Sequence, residues 1–298
     1  MPKPAARNLA AVLIALLTVA AFLLIINPKK IFEAYRAKKS NDSAPRPSTF
    51  KQLVEEQKST PAATPSPTPI PLTFEQMNDK YGPCVKSSVL MYHHIQKELT
   101  EPEYLTVTTN VFRQQMDYLK KQGRVVISLG ELADFFKTGG NTPSKSAALT
   151  FDDGYFDFFT EAFPILKELG LKATVFVITD EVNQPGYLTW DVIKEMNRSG
   201  LINFANHTRD HQNVGGDYSA VEQQIVIADI ALKQANTNVP KIFSYPYGIT
   251  SQNAIKVLEN LNYDLAFTTQ SGNILCQGQR LALPRIRIGN SSLSYYEL

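Results

Sequence analysis

From residue 88 onward the chain alternates between two hydrophobic periods. Short apolar runs bounded by polar or turn residues predict buried strands over 88–92, 125–128, 147–151, 173–178, 202–206, 242–245, 265–268 and 286–288. Between them, apolar residues recur three and four positions apart, the spacing of one helix face. The stretch 110–122 sets Phe112, Met116 and Leu119 on such a face, with Thr108 or Thr109 as its cap. Helices are also expected over 129–137, 158–169 (ended by Gly170), 189–197 and 252–261. Ser219 and Glu222 make a capping box for a further helix reaching Ala235. Strands alternating with helices call for a parallel sheet, and a sheet of this length closes naturally into a β/α barrel. An open doubly wound sheet is the alternative, with a ligand crevice at a single switch point.

The first 82 residues do not share this pattern. Residues 9–26 are apolar apart from Thr18, about the length that crosses a bilayer core. Lys3 and Arg7 precede them, and Asn27, Pro28, Lys29 and Lys30 follow where a cleavage site of small residues would stand. An uncleaved transmembrane signal anchor is expected, with a cleaved signal peptide and secretion as runner-up. Residues 40–82 are rich in Pro, Ser and Thr, with Thr-Pro-Ser-Pro-Thr-Pro at 64–69, and read as an extended, semi-rigid spacer. The chain thus divides into a cytoplasmic tip, anchor and basic flank (1–39), a linker (40–82) and a globular domain (83–298). The positive-inside rule alone, counting Lys29, Lys30, Arg36, Lys38 and Lys39, would put that domain in the cytoplasm. The substrate argued below reverses this, giving a single-pass protein of the cell membrane with its globular domain outside.

Net charge is +2, so there is no nucleic-acid footprint. No protein partner is legible. The two cysteines, Cys84 and Cys276, stand near the two ends of the globular part. Barrel-like folds bring their ends together, so a disulfide suited to an oxidising compartment and a pair of free buried thiols are both open.

Candidate chemistry collects at strand ends. The run 147–151 stops abruptly at Asp152, Asp153 and Gly154, where one carboxylate can hold a metal and the other face a reacting water. The chain has only four histidines, in two clusters: His93 with His94, and His207 with His211. Two imidazoles four apart plus a carboxylate form the ligand set of a catalytic zinc-type site, with one coordination position left for water. Tyr92-His93, Phe151-Asp152, Asn206-His207 and Tyr245-Pro246 all fall at C-terminal ends of predicted strands, the face that carries the site in β/α barrels.

Thr150-Phe151-Asp152-Asp153-Gly154-Tyr155, then His207-Thr208 and His211, then Tyr245-Pro246-Tyr247-Gly248, resemble the motifs of the polysaccharide deacetylase family, the NodB-homology domains of carbohydrate esterase family 4. The resemblance covers about 87–289. It implies a distorted (β/α)7 barrel and a divalent metal, zinc first, held by Asp153, His207 and His211. It makes Asp152 the general base and gives the backbone N–H of Tyr247, beside Pro246, to the oxyanion site. Two departures stand out: Ser244 occupies the position of the usual base-orienting Arg, and no histidine follows His211. Both match the branch similar to poly-β-1,6-N-acetylglucosamine deacetylases, in which a first-strand histidine, here His93, supplies the acid. His94 is the lesser candidate. Arg285 could replace the missing Arg, or be a surface or ion-pair Arg. Tyr155 and Tyr247 could stack on a sugar face; Trp190 reads as packing and Thr208 as steadying its loop.

The function expected is therefore metal-dependent hydrolysis of acetamide groups on a glycan built from N-acetylglucosamine. An O-acetyl esterase acting on xylan-like glycan and a catalytically decayed, membrane-tethered glycan-binding protein are the alternatives.

Overall fold

The computed structural model describes residues 72–298, apart from 100, 101, 141, 236, 238–240 and 297. The expected anchor at 9–26, its flanks and the linker as far as residue 71 lie outside the described residues, among which no helix is long and apolar enough to cross a membrane.

The first element is α1 (Phe74–Tyr81), opened by a reciprocal cap between Thr73 and Gln76. A helix therefore stands where the linker was expected to continue. Its Asn78 side chain accepts from the Cys84 amide at 2.9 Å, tying it to β1 (Cys84–Lys86). β2 (Ser88–Tyr92) is followed directly by β3 (His94–Gln96), which pairs in parallel with β4 (Thr106–Thr108). α2 (Thr109–Lys121) begins at Thr108, whose hydroxyl accepts from the Val111 amide. β5 is only Val125–Val126, because Ser128 leaves the strand to cap α3 (Leu129–Thr138) together with Glu131.

β6 (Ser146–Phe151) carries the two carboxylates at its end. The predicted helix 158–169 is split: Phe158–Ala162 is π-helical and only α4 (Phe163–Leu169) is α-helical. Pro164 has no N–H to donate to the fourth residue back, so the turn before it widens. β7 (Ala173–Val177), α5 (Trp190–Arg198) and β8 (Ile202–Asn206) follow. α6 (Tyr218–Gln234) starts earlier than the Ser219–Glu222 box suggests, because Asp217 accepts from the Ala220 amide and becomes the cap. The chain closes with β9 (Ile242–Ser244), α7 (Gln252–Asn260), β10 (Leu265–Phe267), β11 (Ile274–Cys276) and β12 (Ile286–Arg287).

The main sheet runs β10-β9-β8-β7-β6-β2-β12 with every pair parallel, and β5 lies beside the start of β6. The sheet is curled. The last stretch pairs with β10 at Leu283 and with β2 at Ile286 and Arg287, so it reaches both ends of the strand order. A single-switch-point open sheet would leave those ends apart.

Side-chain alternation separates the buried residues on the two faces of the sheet. Leu90, Tyr92, Leu149, Phe151, Val175, Val177 and Phe204 pack beneath the helices. Val89, Ala148, Phe176, Ala205, Phe267 and Leu283 form a second cluster within the curl, joined by Leu129, Leu132 and Phe136 of α3. β2, β6 and β7 are buried along their whole length, as strands covered on both faces must be.

Cys84 and Cys276 are bonded, and they are paired residues of the antiparallel β1–β11 ladder. This decides between the two states that the sequence left open. The bond spans 192 residues, so it removes much loop entropy from the unfolded chain. Replacing both cysteines by serine is expected to lower unfolding free energy by about 2–5 kcal/mol. Urea titration of the oxidised protein against the double variant checks this; a change within error would show that the ladder holds without the bond.

Candidate active site

Asp152, Asp153 and Gly154 leave β6 in an abrupt turn. Asp153 has φ 73° and Gly154 φ 77°, two successive left-handed residues, of which only the glycine adopts that region without strain. This turn takes Asp153 out of the strand's alternation while Asp152 keeps the inward direction of Ala148 and Thr150. Both carboxylates are buried.

The Asp153 carboxylate meets two imidazoles. Its Oδ1 lies 3.3 Å from His207 Nε2 and 3.4 Å from His211 Nε2. Yet Oδ1 is a buried oxygen without a hydrogen-bond partner. One ligand atom from each of the three residues lies within 4.8 Å of the others. His207 Nδ1 lies 2.8 Å from the Ser244 carbonyl, which requires its proton there and leaves the Nε2 lone pair for an ion. An orphaned carboxylate oxygen facing two imidazole nitrogens fits a divalent cation, and the N,N,O donor set suits zinc.

The electrostatics agree. Burial pushes His207 down, but Asp153 and Asp152 outweigh it and hold its pKa above the ordinary value. Burial and the neighbouring His207 push His211 below its ordinary value. Burial raises Asp153, but the surrounding imidazoles reverse that and leave it lowered.

The loop that carries the two histidines is held from within. Asn206 accepts from the Thr208 amide at 2.8 Å, and the Thr208 hydroxyl accepts from the His211 amide at 3.0 Å. The Asn206 amide group donates to the Ile225 carbonyl, Asp229 and the Tyr263 hydroxyl. Thr208 and His211 both take left-handed backbone, φ 67° and 62°, which these bonds sustain.

Asp152 is clamped by Arg285. Nη1 and Nη2 donate to its two oxygens at 2.7 Å each, and the guanidinium is fully buried. Arg285 also donates to the Thr268 carbonyl, Thr150 Oγ1 and Ser244 Oγ, and stacks 5.6 Å from the Phe176 ring centre. Burial alone would raise the Asp152 carboxyl; Arg285, with His207 and His93, holds it well below the usual range. Only two of its lone-pair sites are taken by the fork, so it can still accept another proton donor.

Around this pair stand the remaining candidates. Burial pushes the His93 imidazole down to about 4, although Asp152 and Asp153 oppose the shift, so it is neutral near pH 7. Burial, followed by the Asp153 charge, pushes the Tyr155 phenol above its ordinary value and keeps it protonated. Tyr247 has φ 59° in the turn after β9, and its ring meets His211 edge-on at 4.6 Å. Pro246 is buried in that turn, and Gly248 is fixed by close approach, since a Cβ there would lie 2.1 Å from Thr269 Oγ1. His94 instead pairs with Asp157 at 2.6 Å and stacks on Tyr155 at 3.7 Å. Trp190 starts α5 and packs against the outer core.

A family model described as polysaccharide deacetylase matches residues 139–266. A Bacillus subtilis protein named as a polysaccharide deacetylase, YxkH, is 33% identical over 208 residues, covering 68% of this chain and 71% of its own.

The chain belongs to the polysaccharide deacetylase family.

The poly-β-1,6-N-acetyl-D-glucosamine N-deacetylase of Staphylococcus epidermidis is 27% identical over 229 residues, 68% of this chain and 79% of that protein. Among solved structures, the Streptococcus pyogenes deacetylase PplD in complex with acetate aligns with TM-score 0.65 at 32% identity, over 72% of this chain and 97% of its own. Like other members of the family, this chain is a hydrolase, a carbohydrate deacetylase.

Within this family the departures noted above have a structural outcome. The Arg285 guanidinium, just before β12, lies against Ser244, the position at which the resemblance expects an Arg, and donates to Ser244 Oγ at 3.0 Å. A serine is small enough to admit it. Two residues escaped the sequence reading. Asp157, which holds His94, looks like an ordinary acid at a helix start. Arg287 carries no signal in the sequence beyond its period-two relation to Arg285.

Proposed function

We propose that this chain is a metal-dependent de-N-acetylase that hydrolyses acetamide groups of glycans containing N-acetylglucosamine, releasing acetate and a free amine. The convergence of Asp153, His207 and His211 within 4.8 Å, beside an Asp152 clamped by Arg285, carries this reading. The name of the staphylococcal relative supports the choice of N-acetylglucosamine polymer. The Cys84–Cys276 bond supports an oxidising, extracytoplasmic setting, with residues 9–26 as the membrane anchor.

Asp153, His207 and His211 would hold a divalent ion, zinc by the donor set, whose Lewis acidity would activate water and polarise the acetyl carbonyl. The chain's own groups do the rest. Arg285 fixes the Asp152 carboxylate so that a free lone pair faces the reacting water and accepts its proton as the water attacks the acetyl carbon. That clamp lowers the basicity of Asp152, and orientation is gained in exchange. The Tyr247 N–H donates to the developing oxyanion, a contact often worth about 3–4 kcal/mol. His93, neutral at rest within the field of both carboxylates, takes up a proton from solvent and delivers it to the departing amine, and the proton on Asp152 returns to solvent as acetate leaves. The amide C–N bond breaks, and acetate and a glucosamine unit leave.

Acetate release from N-acetylglucosamine oligomers is expected to vanish when the protein is treated with a chelator and to return when zinc is restored. Release from an O-acetylated xylan but not from the amide oligomers would transfer the assignment to an esterase. No release from either, with metal shown to be bound, would overturn the enzymatic reading.

A further inference from the structure

Arg287 lies two residues beyond Arg285 in extended chain, paired with Met91 of β2. Residues two apart in extended chain share a face. The Arg287 side chain therefore stands on the side that carries Arg285 and Asp152, one rung nearer the C-terminal strand ends and beside the segment that leads to His93. Its Nη1 is buried and has no hydrogen-bond partner. Among the described residues no carboxylate forms an ion pair with it: Asp152 is matched by Arg285, and Asp153 faces His207 and His211. Its guanidinium carbon lies 6.0 Å from the ring centre of Tyr104, which is 64% exposed. A second guanidinium close to Arg285 is repelled by it, and burial adds to the cost of keeping it charged. A guanidinium offers flat paired donors suited to carboxylate or phosphate oxygens.

We infer that Arg287 is a specificity-determining residue that takes an anionic oxygen substituent, a carboxylate or a phosphate, on the glycan next to the acetamide being cleaved, with Tyr104 forming the outer wall of that subsite. This rests on the de-N-acetylase reading. It adds that the preferred polymer is not a neutral homopolymer but one that carries negative charge within one sugar of the reacting unit. The step is recognition only, and no bond changes at Arg287.

The test uses the full-length protein and three N-acetylglucosamine oligomers of equal length: neutral, with a lactyl-ether carboxylate on the neighbouring sugar, and with a phosphate monoester there. Acetate release gives kcat and KM for each, and calorimetry on metal-stripped protein gives binding without turnover. The wild type is expected to bind one or both anionic oligomers more tightly than the neutral one. R287Q should raise KM and Kd for the preferred anionic oligomer about tenfold or more while leaving the neutral one unchanged. R287K should recover part of the loss. The arm that responds identifies carboxylate or phosphate. Equal change on all three oligomers, or no change on any, overturns the inference even if acetate is still released. If no oligomer is hydrolysed but charge-selective, Arg287-dependent binding persists, the subsite stands and the catalytic reading falls.

Discussion

Asp152→Asn is expected to reduce acetate release by about 10²–10⁴-fold while zinc remains bound at full stoichiometry. In the proposed mechanism the carboxylate accepts the proton of the reacting water, and an amide cannot accept it. The three ligand side chains belong to other residues, so the ion should stay. The substitution also replaces one of the two oxygens that receive the Arg285 fork with an NH₂ group. Breaking a buried pair on one side typically costs about 3–5 kcal/mol, so the variant should also melt earlier. Zinc content and kcat measured on the same folded sample separate the two effects. Turnover near the wild-type level would remove Asp152 from the base role.

Arg285→Met should damage stability and chemistry together. Methionine fills part of the space against Phe176 but leaves the Asp152 charge buried and unmatched, at a cost of about 3–5 kcal/mol. Arg285→Lys should rescue little, because an ammonium cannot donate in parallel to both carboxylate oxygens. The pH dependence is diagnostic. In the wild type the Asp152 carboxyl lies below its unfolded value of about 3.9. Its contribution to stability is therefore complete above that pH and is lost as pH falls through the lower folded value. Without the guanidinium, burial is expected to raise the carboxyl above the unfolded value. The folded state then holds the proton more tightly, and this group destabilises the fold as pH climbs past about 3.9. Unfolding free energy measured from pH 3 to 6 should thus slope in opposite senses at this site in the two proteins. Parallel slopes would show that Arg285 does not govern Asp152.

The order of strands and helices was legible because burial on both faces of a parallel sheet writes continuous apolar runs, and helices between them write a period of 3.6. The chemistry was legible because Asp152, Asp153, His207 and His211 lie at the ends of those runs, and residues at strand ends converge when the sheet curls. Errors fell where one local choice displaced another: Asp217 over Ser219 as a cap, Pro164 widening a helical turn, and α1 in a stretch whose composition resembled linker.

By itself, then, the sequence determined the strand–helix alternation and set Asp152, Asp153, His207 and His211 at the ends of apolar runs, since each of these follows from spacing within one segment, while their roles as ligands and base came from the resemblance to the family motifs. Tertiary structure alone decided what depends on segments far apart in the chain. Arg285, 133 residues from Asp152, becomes its clamp because β12 returns beside β2 and Ser244 leaves room for it. The Cys84–Cys276 bond, the pairing of His94 with Asp157 away from the metal ligands, and the unmatched Arg287 near the strand ends arise in the same way. Such contacts are set by the closing of the sheet, and no periodicity within a single segment encodes them.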